Sequence, residues 1–166
     1  MSRIVLAAIC LLLALSPASA QDSRPAPAPP DSLARYKKET LPVPPKVTPQ
    51  HITVQHILIA FEGSTRKPVD RKKDEARKLA YEILEMARMG ADFDTLVMTW
   101  TNDSYPGTYN LANFKVPVKG KDEYPREDMV AAFGNVGFAI SPGNIGIADF
   151  DPKTSKYGWH IIKRLK

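Results

Sequence analysis

Cysteine is almost absent from this chain. The only one among 166 residues is Cys10, and it lies in a leader that we expect to be removed. The mature chain then has no disulfides, no thiolate nucleophile and no cysteine-based zinc site. Lipid attachment at Cys10 is a weaker alternative, because the bulky Ile9 stands where a small residue is expected.

The chain also lacks an apolar run long enough to span a membrane. Residues 4–15 are apolar, whereas a transmembrane helix needs about 20 such residues. A basic residue precedes this run, and residues 16–20 end in an A-x-A cleavage pattern. We therefore predict that residues 1–20 are a cleaved signal peptide. The mature protein is expected to be periplasmic or secreted, without stable membrane insertion.

Neither a nucleic-acid surface nor a metal site is indicated. The chain has 23 basic and 18 acidic residues, a net charge of +5, and only 8% aromatic residues, with no basic stripe interleaved with aromatic side chains. None of the three histidines lies in an H-E-x-x-H pattern. His51 and His56 point to opposite faces of a predicted strand, since side chains alternate along a strand. We predict no metal and no cofactor.

Proline is abundant but unevenly placed. Eight of the fifteen prolines lie in residues 21–50, which is typical of an extended linker that builds no core. The remaining residues, 51–166, have the length of one domain. A polar loop with five basic residues between 66 and 73 is open to two interpretations, a binding site for an acidic group or a solvated helix start, and we favour the second.

Hydrophobic patterning within 51–166 predicts an α+β fold. Strands are expected at 52–61, 110–118, 145–150 and 159–165. Helices are expected from about residue 70, after a cap at Asp92, and from about residue 127. The first helix has apolar residues at the spacing of a half-buried helix, and Gly90 ends it. Strands at both termini with helices between them indicate a layered α+β architecture.

Six motifs, in order along the chain, resemble the parvulin family of peptidyl-prolyl cis-trans isomerases. They are VQHILI at 54–59, GADFDTL at 90–96, NDS at 102–104, MVAAF at 129–133, FAISPG at 138–143 and YGWHII at 157–162. The resemblance implies a small antiparallel sheet of about four strands packed with three to four helices. It also implies isomerase activity without a cofactor, on proline-containing segments of unfolded or loop polypeptides. We expect a monomer that assists folding.

The sequence departs from the family pattern in two places. The family usually has Gly-x-Leu-Gly-x-Phe where this chain has GTYNLANF at 107–114, in which Ala112 replaces the tight glycine and the spacing is longer. A polar insertion at 119–126 lengthens the approach to the third helix. Both changes concern peptide preference and catalytic strength more than the fold.

An apolar proline pocket is the first requirement of X–Pro rotation, because the planar amide is stabilised when water solvates its separated charge. Met129 and Phe133 are four residues apart and are predicted to project from one helix face. With Leu111 they are the candidate pocket. Phe114 and Phe138 are further candidates for substrate binding, with the interpretation that they form the core beneath it. From periodicity alone, Met129 and Phe133 are better explained as core residues, and it is the resemblance that favours the pocket.

The resemblance implies three candidate catalytic residues, His56, Asp103 and His160. The two histidines are predicted to hydrogen-bond each other as neutral rings, with Ser155 or Tyr157 as hydroxyl partners. Asp103 is predicted to interact with the substrate amide and to tune the histidines. A loop-forming role for this aspartate is an equal alternative.

Two other functions are compatible with the sequence. One is a non-catalytic, chaperone-like module of the same fold that binds peptides without accelerating rotation. The other is an auxiliary domain that docks on one partner through the proline-rich segment. An isomerisation assay distinguishes the first from an enzyme.

Overall fold

The computed structural model of the chain describes residues 48–166. The predicted signal peptide and all but the last three residues of the predicted linker lie outside this range. The whole of the predicted domain, 51–166, lies within it. None of the helices in residues 48–166 is long and apolar enough to cross a membrane.

Five strands form one mixed sheet in the order β3-β2-β1-β5-β4. They are β1 (His51–Ile59), β2 (Thr108–Ala112), β3 (Glu123–Pro125), β4 (Ile145–Ala148) and β5 (Trp159–Arg164). The central strand β1 pairs antiparallel with both β2 and β5. Only β2 and β3 run parallel. The first and last strands are therefore neighbours, as the predicted contact between their histidines requires.

Two helices cover one face of the sheet. These are α1 (Lys73–Arg88) and α2 (Phe93–Trp100). The Asp92 side chain caps α2 by accepting a hydrogen bond of 2.8 Å from the Thr95 amide. The inner residues of both helices pack on alternate residues of β1 and β5, which form one buried cluster: Ile57, Ile59, Ala76, Ala80, Ile83, Leu84, Ala87, Phe93, Leu96, Val97, Trp159 and Ile161. Burial of each large aliphatic side chain contributes about 1.5–3 kcal/mol.

A third helix, α3 (Ala131–Ala139), covers part of the opposite face. The intervening residues of β1, β2 and β5 pack against it in a second cluster: Ile52, Val54, Leu111, Phe133, Phe138, Ile140, Ala148 and Ile162. His56 belongs to this face, because it follows Ile52 and Val54 at the two-residue period of a strand. This face therefore carries the candidate site.

The α+β class is confirmed, and the details differ in three places. Strand β2 spans Thr108–Ala112 rather than 110–118. The insertion at 119–126 contains the short strand β3, so the sheet has five strands rather than four and one parallel pair. Helix α3 begins at Ala131 rather than near residue 127, because Arg126–Asp128 form a separate 3₁₀ turn. Val130 provides no side-chain cap. Instead, the Thr154 carbonyl accepts a hydrogen bond of 2.9 Å from the Ala132 amide, one of the donors left free at a helix start.

Candidate functional site

The two histidines lie side by side on neighbouring strands. His56 faces Ile162 across the β1–β5 pair, and His160 faces Leu58. Their Nδ1 atoms are 3.2 Å apart and their rings are nearly parallel, at 15°. Both side chains are buried in the core. The predicted contact between the histidines is therefore present in the structure.

Asp103 extends the pair toward the surface. Its Oδ2 atom is 3.1 Å from Nε2 of His56, and its side chain is 35% exposed. The loop after α2 holds it there, because the Asn102 amide donates to the Leu58 carbonyl and the Asn102 side chain accepts from the Ala60 amide. Hydrogen bonding to His56 is the main cause that lowers the Asp103 pKa to about 2. The carboxylate is thus ionised at neutral pH.

Tyr109 completes this network, and the sequence reasoning missed it. Its hydroxyl donates to Oδ2 of Asp103 at 3.1 Å. Burial, together with the neighbouring Asp103 charge, raises the Tyr109 pKa to about 12. A signal was available, because Tyr109 is two residues from Leu111 and therefore lies on the same strand face.

Close contact between the backbones of Gly107 and His56 fixes this part of the loop. The His56 amide donates to the Gly107 carbonyl at 2.9 Å. Gly107 has a φ of +65°, and a Cβ at this position would lie 2.6 Å from the His56 carbonyl oxygen. Only glycine accommodates both the backbone angle and the contact.

Hydrogen-bond roles along the network follow from Asp103. An ionised carboxylate only accepts, so Nε2 of His56 carries a proton. With both rings neutral, Nδ1 of His56 accepts and Nδ1 of His160 donates. Nε2 of His160 is then unprotonated and buried, and within residues 48–166 it has no hydrogen-bond partner. Burial, with the neighbouring His56, lowers the His160 pKa to about 3, which keeps this ring neutral.

Phe133 of α3 closes the site from above the sheet. Its ring lies edge-on to those of His56, at 5.0 Å between centroids, of His160, at 5.5 Å, and of Tyr109, at 6.0 Å. Leu111 is fully buried beside it. These side chains form an apolar wall beside a network with a single ionised group, Asp103.

Met129 lies beside this wall, but not on the helix where it was predicted. It lies outside α3, in extended backbone with φ −87° and ψ 160°, so the expectation that it shares a helix face with Phe133 is wrong. It is nevertheless half-buried against the cluster that contains Phe133. The chain bends at residues 129 and 130 because the 3₁₀ turn ends before α3 starts.

Phe114 is not part of the core, which corrects the interpretation that it lies beneath the pocket. Its ring is 54% exposed, whereas Phe138 is buried as expected. The Arg126 guanidinium lies between the two rings, 4.4 Å from the centroid of Phe114 and 4.7 Å from that of Phe138. Phe114 therefore packs on a cation from the insertion.

Neither of the predicted hydroxyl partners hydrogen-bonds a histidine. The Ser155 hydroxyl donates to the Gly158 carbonyl at 2.9 Å and so stabilises its own turn. Tyr157 is exposed, with the Lys156 ammonium 5.1 Å from its ring centroid. The hydroxyl that joins the network is that of Tyr109, through Asp103. In the part of the chain that the structure describes, no group of His, Cys, Asp or Glu is arranged to hold a metal ion.

Two solved structures are similar to this chain. TbPIN1, known from a solution structure, has a TM-score of 0.52 and 19% identity, over 70% of this chain and 98% of its own. Peptidyl-prolyl isomerase ESS1 from Candida albicans has a TM-score of 0.49 and 19% identity, over 70% of this chain and 63% of its own. No curated protein matches the sequence.

The family comparison covers most of the chain. The model of the PPIC-type PPIase domain matches residues 38–166, which begins before the predicted domain boundary at residue 51. This match confirms the resemblance to the parvulins, and with it the predicted isomerase activity. The chain belongs to the family of PPIC-type peptidyl-prolyl cis-trans isomerase domains.

Proposed function

We propose that this isomerase acts outside the cytoplasm on X–Pro bonds of unfolded or loop polypeptides, and that it does so without a covalent step. The proposal is carried by one observation. An apolar wall around Phe133 stands directly against a buried histidine pair and a single ionised carboxylate, Asp103. No thiol is present in residues 48–166, so nucleophilic attack by cysteine is not part of the proposed chemistry.

Rotation about an X–Pro bond needs no bond breaking. The barrier is about 18–20 kcal/mol and arises from amide resonance, which places negative charge on the carbonyl oxygen and positive charge on nitrogen. An apolar wall that holds the proline ring removes water from this amide and weakens the planar form. In the proposal the half-buried Met129 meets the proline ring, and the buried Phe133 and Leu111 support that surface from behind. Catalysis then consists of binding the twisted amide better than the planar one.

Asp103 is proposed to act through its charge. A carboxylate near the substrate carbonyl oxygen repels the negative charge of the planar resonance form. The twisted form has less charge on that oxygen and is repelled less. The pKa of about 2 supports this role, because the group stays ionised at working pH, and its partial exposure leaves one side accessible.

His56 and His160 are proposed to position this carboxylate rather than to transfer protons. His56 donates to Asp103, and His160, held neutral by burial, orients His56. The pair is thus a brace beneath Phe133 and beside Asp103. Rotation breaks no bond, so the proposal assigns no proton transfer to either histidine.

The assay is cis-trans exchange of a proline tetrapeptide, followed by NMR, with the wild-type chain and two variants. We expect Phe133→Ala and Asp103→Ala each to lower kcat/KM at least tenfold. Met98→Ala is the control, because Met98 is 67% exposed and lies on α2, on the other side of the sheet. Peptide binding without acceleration by the wild-type chain favours the chaperone-like alternative. Full activity in Phe133→Ala would exclude the proposed wall.

Export rests on the leader sequence alone. Residues 1–20 have the features of a cleaved signal peptide. Uncatalysed proline isomerisation takes tens to hundreds of seconds, which is slow enough to limit folding of exported polypeptides. Mass spectrometry of the protein made in a host with a secretion pathway tests this part. We expect a mature N-terminus at Gln21, and an intact Met1 would contradict export by this route.

A further inference from the structure

Tyr124 is an exposed aromatic residue that the proposed reaction does not use. It lies in β3, within the insertion, and its side chain is 47% exposed. Its ring centroid is 5.9 Å from that of Tyr109. Tyr109 in turn contacts both His56 and Phe133. Aromatic rings are therefore continuous from the candidate site to the edge of the sheet.

The strand register places Tyr124 on the same sheet face as the site. Tyr124 faces Leu111 across the β2–β3 pair, and Tyr109 faces Val54 across the β1–β2 pair. Residues directly opposite each other in neighbouring strands point to one face. Leu111 and Val54 are buried in the cluster around Phe133. Tyr124 thus lies on the sheet face that carries Phe133.

The insertion is held in place on both sides of Tyr124. Oε1 of Glu123 is 2.9 Å from Nδ1 of His51, at the start of β1. Arg126 donates hydrogen bonds of 2.8 Å to the side chains of Asn113 and Asn135. An aromatic side chain fixed before binding loses little conformational entropy when it meets a ligand.

We propose that Tyr124 and Tyr109 form a platform that binds an aromatic side chain within two residues of the isomerised proline. The inference rests on the proposed function, since the proline itself must lie at the candidate site. Ring-to-ring steps of 6.0 and 5.9 Å lead from Phe133 through Tyr109 to Tyr124. An extended chain advances about 3.3–3.6 Å per residue, so neighbouring side chains reach this platform.

The chemistry of the platform favours aromatic over acidic neighbours. Tyrosine rings attract other rings in edge-to-face or offset geometry. The ionised Asp103 carboxylate stands at the inner end of the platform, hydrogen-bonded to Tyr109, and repels a second negative charge. The preferred clients are therefore proline segments with a nearby Phe, Tyr or Trp, and not acidic or phosphorylated ones.

The test compares peptides that differ only near the proline. Pentapeptides with a central proline and with Phe, Ala or Glu at each position within two residues of it are assayed for exchange with the full chain by NMR. At one flanking position or more, Phe should raise kcat/KM about three- to tenfold over Ala, the range expected for one aromatic contact. Tyr124→Ala should reduce this ratio to about one, whereas Tyr124→Phe, which keeps the ring, and Met98→Ala should preserve it.

The outcomes separate this inference from the proposed function. Acceleration of every peptide with a Phe/Ala ratio near one, or a ratio unchanged in Tyr124→Ala, overturns the platform and leaves the isomerase site intact. If no peptide is accelerated, the dissociation constants of the Phe and Ala peptides are compared instead of their kcat/KM values. Equal affinities for the two peptides overturn the platform as well. Circular dichroism of Tyr124→Ala verifies that the variant is folded.

Discussion

The buried histidine pair makes the stability of this protein depend on pH in a defined way. His160 has a pKa of about 3 in the folded chain, against 6.5 in an unfolded one. Between these values only the unfolded chain binds the proton, so stability falls as the pH falls. The slope approaches about 1.4 kcal/mol per pH unit, and the loss between pH 7.5 and 5 is about 2 kcal/mol. Below pH 5, carboxylates begin to contribute, so the window stops there.

The variant that isolates this effect is His160→Asn. Its amide nitrogen occupies the place of Nδ1 and donates to His56, but it does not titrate. Urea denaturation at pH 7.5, 6.5 and 5, followed by fluorescence of the buried Trp159, measures the free energy of unfolding. We expect wild type to lose about 2 kcal/mol over this range and the variant to lose much less. His51→Asn, at the start of the central strand β1 and outside the buried pair, is the control and should keep the wild-type loss. Parallel losses in wild type and His160→Asn would refute the buried neutral ring.

Three further changes test the packing and charges around the site. Phe133→Ala should lower the free energy of unfolding by about 3–5 kcal/mol, because the ring is fully buried against both histidines, as urea denaturation measures; a loss below 1 kcal/mol would contradict this packing. Tyr109→Phe removes a donor to Asp103, so the Asp103 pKa should rise, which an NMR titration of its carboxyl carbon detects; an unchanged pKa would refute the hydrogen bond. Arg126→Met should cost about 1–2 kcal/mol, because it loses two side-chain hydrogen bonds and its place between two phenylalanine rings; wild-type stability would contradict that packing.

The elements that follow a clear hydrophobic period were predictable from the sequence. Strands β1, β4 and β5 and helices α1 and α2 lie within a few residues of their predicted positions, because their buried residues alternate or recur at helical spacing. The neighbouring positions of His56 and His160 were also predicted, since both terminal strands belong to one small sheet.

The remaining features depend on tertiary contacts that leave little trace in local sequence. Strand β3 has three residues and ends at a proline, and it exists because Glu123 and Arg126 are held by distant side chains. Helix α3 contains two glycines, and an amide of its first turn donates to the distant Thr154 carbonyl instead of to a local capping side chain. The sequence around residue 131 therefore does not show where the helix begins. Tyr109, for which no role was predicted, belongs to the charged network, whereas Phe114, expected in the core, packs on an arginine.

The central claim is that rotation proceeds without proton transfer, within an apolar wall beside a fixed carboxylate. Its most direct test is kcat/KM of the wild-type chain for one proline peptide, measured by NMR exchange in H2O and in D2O at equivalent acidity. Equal values in the two solvents are the predicted result, because no bond to hydrogen changes during rotation. A substantially lower value in D2O would contradict the account and assign a proton-transfer role to His56 or Asp103.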